Sequence, residues 1–115
     1  MKANNVVIID YGVGNLLSVK YGFENSNVNV QVSSDPHVII KASHAVLPGV
    51  GAFSNAMEEL EKNGLADTLR EIVQKQKPLL GICLGMQLLL DESEEFGKTM
   101  GLGLISGKVV SIPAL

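Results

Sequence analysis

The sequence predicts an α/β protein with a doubly wound, mainly parallel sheet and helices on both faces. Three observations lead there. Short apolar runs alternate along the chain with stretches of helical periodicity. The runs Val6–Ile9, Ala45–Leu47 and Leu79, Leu80 and Ile82 have the continuous apolar character of strands covered on both sides. Each is also followed by a glycine-bearing loop, at the strand ends where open α/β sheets bind ligands.

Composition bounds the rest. At 115 residues the chain is read as a single domain, residues 1–115. A 46% hydrophobic content against 18% charged residues suits a buried sheet. The net charge of −3 argues against binding nucleic acid through its phosphates. One cysteine excludes an internal disulfide and suits a reducing cytoplasm. Two histidines with no Cys/His cluster argue against a structural metal, and no cofactor is expected. The apolar run near the N-terminus is too short for a signal segment, and nothing approaches membrane-spanning length.

Taken in order, Val6–Ile9 reads as the first, central strand, closed by Asp10 and Tyr11. The loop Gly12-Val13-Gly14-Asn15 leads into Leu16, Val19, Lys20 and Phe23 at helical spacing. A dinucleotide fingerprint would need a third glycine where Leu17 stands, so Asn15 is read as a helix N-cap. Val28, Val30 and Val32 alternate with polar residues and suggest an edge strand. Asp35-Pro36 starts a short turn or helix, with Ser34 or Asp35 as its cap. Ala45–Leu47 is the next buried strand. His37 and His44 flank this region with no acidic or cysteine neighbour at a useful spacing, and both read as surface histidines.

Pro48-Gly49-Val50-Gly51-Ala52-Phe53 follows that strand. Its two glycines let the backbone approach a ligand or turn a peptide, although an ordinary βα turn would look the same. Phe53, Ala56, Met57 and Leu60 share a helical face, which Asn63-Gly64 ends. Leu65, Leu69, Ile72 and Val73 stripe a second helix. After the elbow segment discussed next, Asp91–Glu95 reads as an acidic, solvated helix end and loop, and Lys108–Ile112 as a fifth and last strand.

The segment Pro78–Leu90 carries the chemistry. Gly81-Ile82-Cys83-Leu84-Gly85 is G-x-C-x-G, the cysteine form of a nucleophile elbow between strand and helix. Cys83 should then have an unusual backbone conformation, and the following helix should favour its thiolate. The Leu84 N–H is the expected half of an oxyanion hole. On the pattern alone, a small buried hydrophobe is the commoner reading of a lone cysteine such as Cys83.

Together GICLGMQLL (81–89), DYGVGNLLSV (10–19), LPGVGAF (47–53) and GLGLISGKV (101–109) resemble the class I (triad) glutamine amidotransferases. Within them the likeness is to the glutaminase subunits of imidazole glycerol phosphate synthases, and it runs the length of the chain. The resemblance implies a flavodoxin-like half of that family's fold. It implies Cys83 as nucleophile, the amides of Leu84 and Val50 as oxyanion hole, and Gly49, Gly51 and Gln87 against the bound glutamine. It further implies Asn15 near the active site and facing a (β/α)₈-barrel cyclase subunit, which uses the released ammonia to make imidazole glycerol phosphate in histidine biosynthesis.

The family's catalytic histidine and glutamate lie C-terminal to the region matched, and neither His37 nor His44 occupies such a position. The chain is therefore expected to be a fragment, a truncated form, or half of a split or redesigned protein, without glutaminase turnover of its own. A sheet cut after its fifth strand would leave an edge and apolar faces uncovered, and self-association is expected. Two other functions fit the same residues: a non-catalytic flavodoxin-like interaction module, and another Cys-elbow hydrolase. A glutamine-like electrophile that traps Cys83 separates the amidotransferase from the last.

Overall fold

In the computed structural model, which describes residues 5–113, four strands form a parallel sheet. They are β1 (Asn5–Ile9), β2 (Asn29–Ser33), β3 (His44–Leu47) and β4 (Leu79–Gly81), in the order β2-β1-β3-β4. All three pairings are parallel, with Ile8 opposite both Val32 and Val46. Side chains alternate across a strand, so Val7 and Ile9 enter one core while Val6 and Ile8 enter the other. Two buried faces explain why the run from Val6 to Ile9 has no polar position.

The larger core lies under α2 (Pro36–Lys41), α3 (Phe53–Lys62) and α4 (Leu65–Gln74). Ile39, Phe53, Met57, Leu60, Leu65, Leu69 and Ile72 are almost fully enclosed there. Each such side chain contributes about 1.5–3 kcal/mol by leaving water. Local chemistry sets the helix ends. Asp35 caps α2 by accepting from His37 N at 2.9 Å, with Pro36 at the first helical position. Gly64, at φ 72°, lets α3 stop and α4 begin at once.

The opposite face is thinly covered. Its helix, α1 (Leu16–Glu24), has no fully buried residue, and Leu16, Val19 and Phe23 are half-buried against Val6, Ile8 and Val46. Leu80 pairs with Val46 and so lies on this face, 51% exposed. The sheet is wound on both sides as expected, but unequally.

Beyond the elbow the chain departs from the sequence reading. The helix there, α5, runs only from Leu84 to Leu88, and Leu90–Ser93 is a strand, β5, not an acidic helix end. With β6 (Thr99–Met100) and β7 (Ile105–Val109) it makes a second, three-stranded sheet in the order β6-β5-β7. The last strand therefore starts three residues earlier than expected and does not extend the parallel sheet as a fifth strand. The cause is a competing set of partners. The carbonyls of Leu88, Leu89, Leu90 and Asp91 accept from Leu102, Leu104, Gly103 and Gly101 at 2.8–3.1 Å, instead of from amides one turn on. The acidic run is also engaged: Glu94 pairs with Lys108 at 3.0 Å, Glu92 with Lys98 at 3.8 Å, and Asp91 Oδ2 accepts from Gly107 N at 3.1 Å. The first two are exposed ion pairs, screened by solvent, and add little to stability.

Candidate active site

Cys83 sits between the end of β4 and the first residue of α5, with φ 55° and ψ −122°. That combination lies outside every region an L-residue occupies without strain, and costs about 1–3 kcal/mol. Neighbouring bonds hold it there. Ile82 N donates to Leu47 O at 3.0 Å, Gly85 N to Ile82 O at 2.9 Å, and Met86 N to Cys83 O at 3.0 Å. The two glycines of the motif have steric reasons to be glycine. A Cβ on Gly81 would stand 2.7 Å from Met86 Cα, and one on Gly85 would overlap the Leu47 carbonyl oxygen. The thiol is free and exposed, so the buried-hydrophobe reading of this cysteine does not apply.

The loop after β3 is wedged against this turn. A Cβ on Gly49 would meet Gly85 N at 2.9 Å and Leu84 Cβ at 3.0 Å. Pro48 and Gly49 are buried, whereas Val50 is 58% exposed and Gly51 turns outward at φ 94°. The loop after β1 packs onto the same place, since a Cβ on Gly14 would lie 3.3 Å from Pro48 Cβ. Asn15 caps α1 as expected, its Oδ1 accepting from Ser18 N at 3.3 Å. Three loops from the carboxyl ends of β1, β3 and β4 thus converge at one edge of the sheet. Among the described residues the amides of Val50 and Leu84 donate to no protein atom. Gln87, half-buried on α5, stands one helical turn after Cys83.

Two further residues belong to this edge that sequence patterning did not single out. The Tyr11 hydroxyl, buried at the end of β1, donates to Pro48 O at 2.5 Å, and burial pushes its pKa well above the ordinary tyrosine value. Glu95 Oε1 accepts from Phe53 N at 3.0 Å, which caps α3 just past the glycine loop with a carboxylate. Neither contact has a local signal, because the partners are 37 and 42 residues apart.

The histidines do not approach Cys83. His44 opens β3 at the opposite edge of the sheet, with Nδ1 2.9 Å from Ser43 Oγ. His37 lies in the first turn of α2 after β2, and β2 and β4 are the two outer strands, roughly 14 Å apart by strand spacing. Among the described residues no group of three His, Cys, Asp or Glu could hold a metal, and no helix is long and apolar enough to cross a membrane.

The sequence profile of the family described as "Glutamine amidotransferase class-I" matches residues 7–111. The chain belongs to that family. It is 53% identical over 108 residues to the imidazole glycerol phosphate synthase subunit HisH of Lacticaseibacillus casei, covering 94% of this chain and 52% of that protein. The HisH subunit of a Geobacillus species is 54% identical, covering 94% and 51%, and that of Syntrophotalea carbinolica 50%, covering 94% and 52%. This amidotransferase chain spans about half the length of those curated relatives. A crystal structure of a glutamine amidotransferase superposes with a TM-score of 0.77 at 18% identity, covering 90% of this chain and 55% of that one, which establishes the shared fold.

Proposed function

We propose that this chain supplies the nucleophile half of a glutaminase subunit of imidazole glycerol phosphate synthase. The observation that carries the reading is the strained, exposed Cys83 set between two glycines that admit no Cβ, beside a second glycine loop. The Cys83 thiolate attacks the side-chain amide carbon of glutamine, and the carbonyl π electrons move to oxygen. The amides of Leu84 and Val50 receive that oxyanion, while Gly49, Gly51 and Gln87 line the bound glutamine. Collapse expels ammonia once its nitrogen is protonated and leaves a glutamyl thioester, which water hydrolyses to glutamate.

The base that takes the thiol proton and returns one to the leaving nitrogen lies outside these residues, since neither histidine reaches Cys83. We expect no glutamine turnover from this chain by itself. The ammonia passes to a (β/α)₈-barrel cyclase partner, with Asn15 and its loop on the partner side, in a cytoplasmic heterodimer of histidine biosynthesis. The names of the relatives, imidazole glycerol phosphate synthase subunit HisH, support the assignment to a subunit of that synthase. The test is alkylation of the folded protein by a glutamine-mimicking chloroketone and by iodoacetamide. Selective, glutamine-protectable labelling of Cys83 by the ketone is expected. Labelling by both at the rate of an ordinary thiol, or by neither, overturns the reading.

A further inference from the structure

The glycine loop after β3 is hydrogen-bonded at both ends and, among the described residues, makes no hydrogen bond at the glycines between them. Leu47 O accepts from Ile82 N of the elbow, and the next carbonyl, Pro48 O, accepts from the Tyr11 hydroxyl. The next tie is Phe53 N, which donates to Glu95. Between these points, Gly49, Val50 and Gly51 make no hydrogen bond among the described residues. Tyr11 therefore marks where the rigid part of the loop stops. Its hydroxyl is also a steric stop, since a Cβ on Gly49 would come within 2.8 Å of it. Pro48 is buried, and without Tyr11 its carbonyl oxygen would have no partner among the described residues.

We infer that Tyr11 is a positioning residue: its hydroxyl holds the Pro48–Gly49 peptide as a fixed post, so that the Val50 amide swings over a short arc next to Cys83. This rests on the glutaminase reading and deepens it. The hydroxyl touches neither substrate nor thiol. It acts by limiting how far the oxyanion donor can stray, and displacement of a catalytic group by about 1 Å can cost about 100-fold in rate.

The experiment compares the unmutated chain with Tyr11→Phe, which removes one oxygen and keeps the ring in the core. Alkylation by the glutamine-mimicking chloroketone needs the oxyanion hole, whereas displacement on iodoacetamide does not. The saturating rate of ketone inactivation should fall about tenfold, less than the 10²–10³ of losing an oxyanion donor outright. The half-saturating ketone concentration and the iodoacetamide rate should stay unchanged. Equal slowing of both reagents, or an unchanged ketone rate in a folded variant, overturns the positioning role. If the unmutated chain shows no ketone selectivity, the glutaminase reading itself falls and takes this one with it. A measurement on the unmutated chain guards against a variant that does not fold. The Tyr11 hydroxyl proton should be visible by NMR in water, with cross-peaks to the Gly49 protons, and its absence overturns the bond on which the inference stands.

Discussion

Gly85 lies so close to Leu47 that a methyl group on it would overlap the Leu47 carbonyl oxygen, while that oxygen also accepts from Ile82 N at 3.0 Å. The second residue of the elbow helix and the end of the neighbouring strand are thus in backbone contact, and neither can shift without breaking the turn. Gly85→Ala should cost about 3 kcal/mol or more, at or beyond the upper end of ordinary overpacking, because the obstacle is backbone. Gly22 gives the contrast. It sits within α1, where a Cβ meets nothing within 4 Å, so Gly22→Ala should stabilise by about 1 kcal/mol. Chemical denaturation of both variants measures the difference, and a tolerated Gly85→Ala would refute the close packing.

Cys83 is held at φ 55°, a conformation that costs stability. Cys83→Gly should raise stability by about 1 kcal/mol, the strain relief of about 1–3 kcal/mol less the extra backbone entropy of glycine. All alkylation would disappear with the thiol. A clear loss of stability would mean that the backbone at Cys83 is unstrained.

Glu95 should matter to the fold out of proportion to its exposure. Removing its carboxylate in Glu95→Ala frees Phe53 N at the start of α3, and about 1 kcal/mol of stability should go with it. Glu95→Gln keeps an acceptor oxygen and should lose about half as much, the share that belongs to the charge at a helix start. Equal losses in the two variants would assign the effect to packing.

Stability should also fall at alkaline pH through Tyr11. Burial raises its folded-state pKa above the unfolded value of about 10. Above pH 10 the unfolded chain releases the Tyr11 proton while the folded chain keeps it, so its contribution, complete below pH 10, declines as pH rises. In a Tyr21→Phe background, where Tyr11 is the one tyrosine left, phenolate absorbance should appear together with loss of circular dichroism. Ionisation that precedes unfolding would contradict the burial of the hydroxyl.

The uncovered side of the sheet should govern behaviour in solution. The outer edge of β4 is unpaired among the described residues, and Leu80 is 51% exposed beside an open apolar groove of about 180 Å³ lined by Phe23, Val46 and Pro78. The chain should self-associate with rising concentration, which light scattering detects. A monomer with a cooperative transition above about 5 kcal/mol would count against that expectation.

By itself the sequence determined the parts whose cause is local. Strands covered on both faces must be apolar at every position, so Val6–Ile9 and Ala45–Leu47 were readable as strands. Caps bond amides two or three residues away, so Asn15 announced its helix, and Ser34-Asp35 announced the next, with the fold choosing Asp35. The turn at Cys83 was legible because Gly81 and Gly85 stand where no side chain fits. Tertiary structure decided what depends on distant partners. The helix that Leu88–Leu90 seemed to continue gives way to β5 because carbonyls there find amides of residues 101–105. Glu95 reaches Phe53, and Tyr11 reaches Pro48, only because the folded sheet brings residues about forty apart to one edge. A hydrogen bond across such a separation leaves no periodicity in the chain, since its cost and its gain are both settled by the closing of the fold.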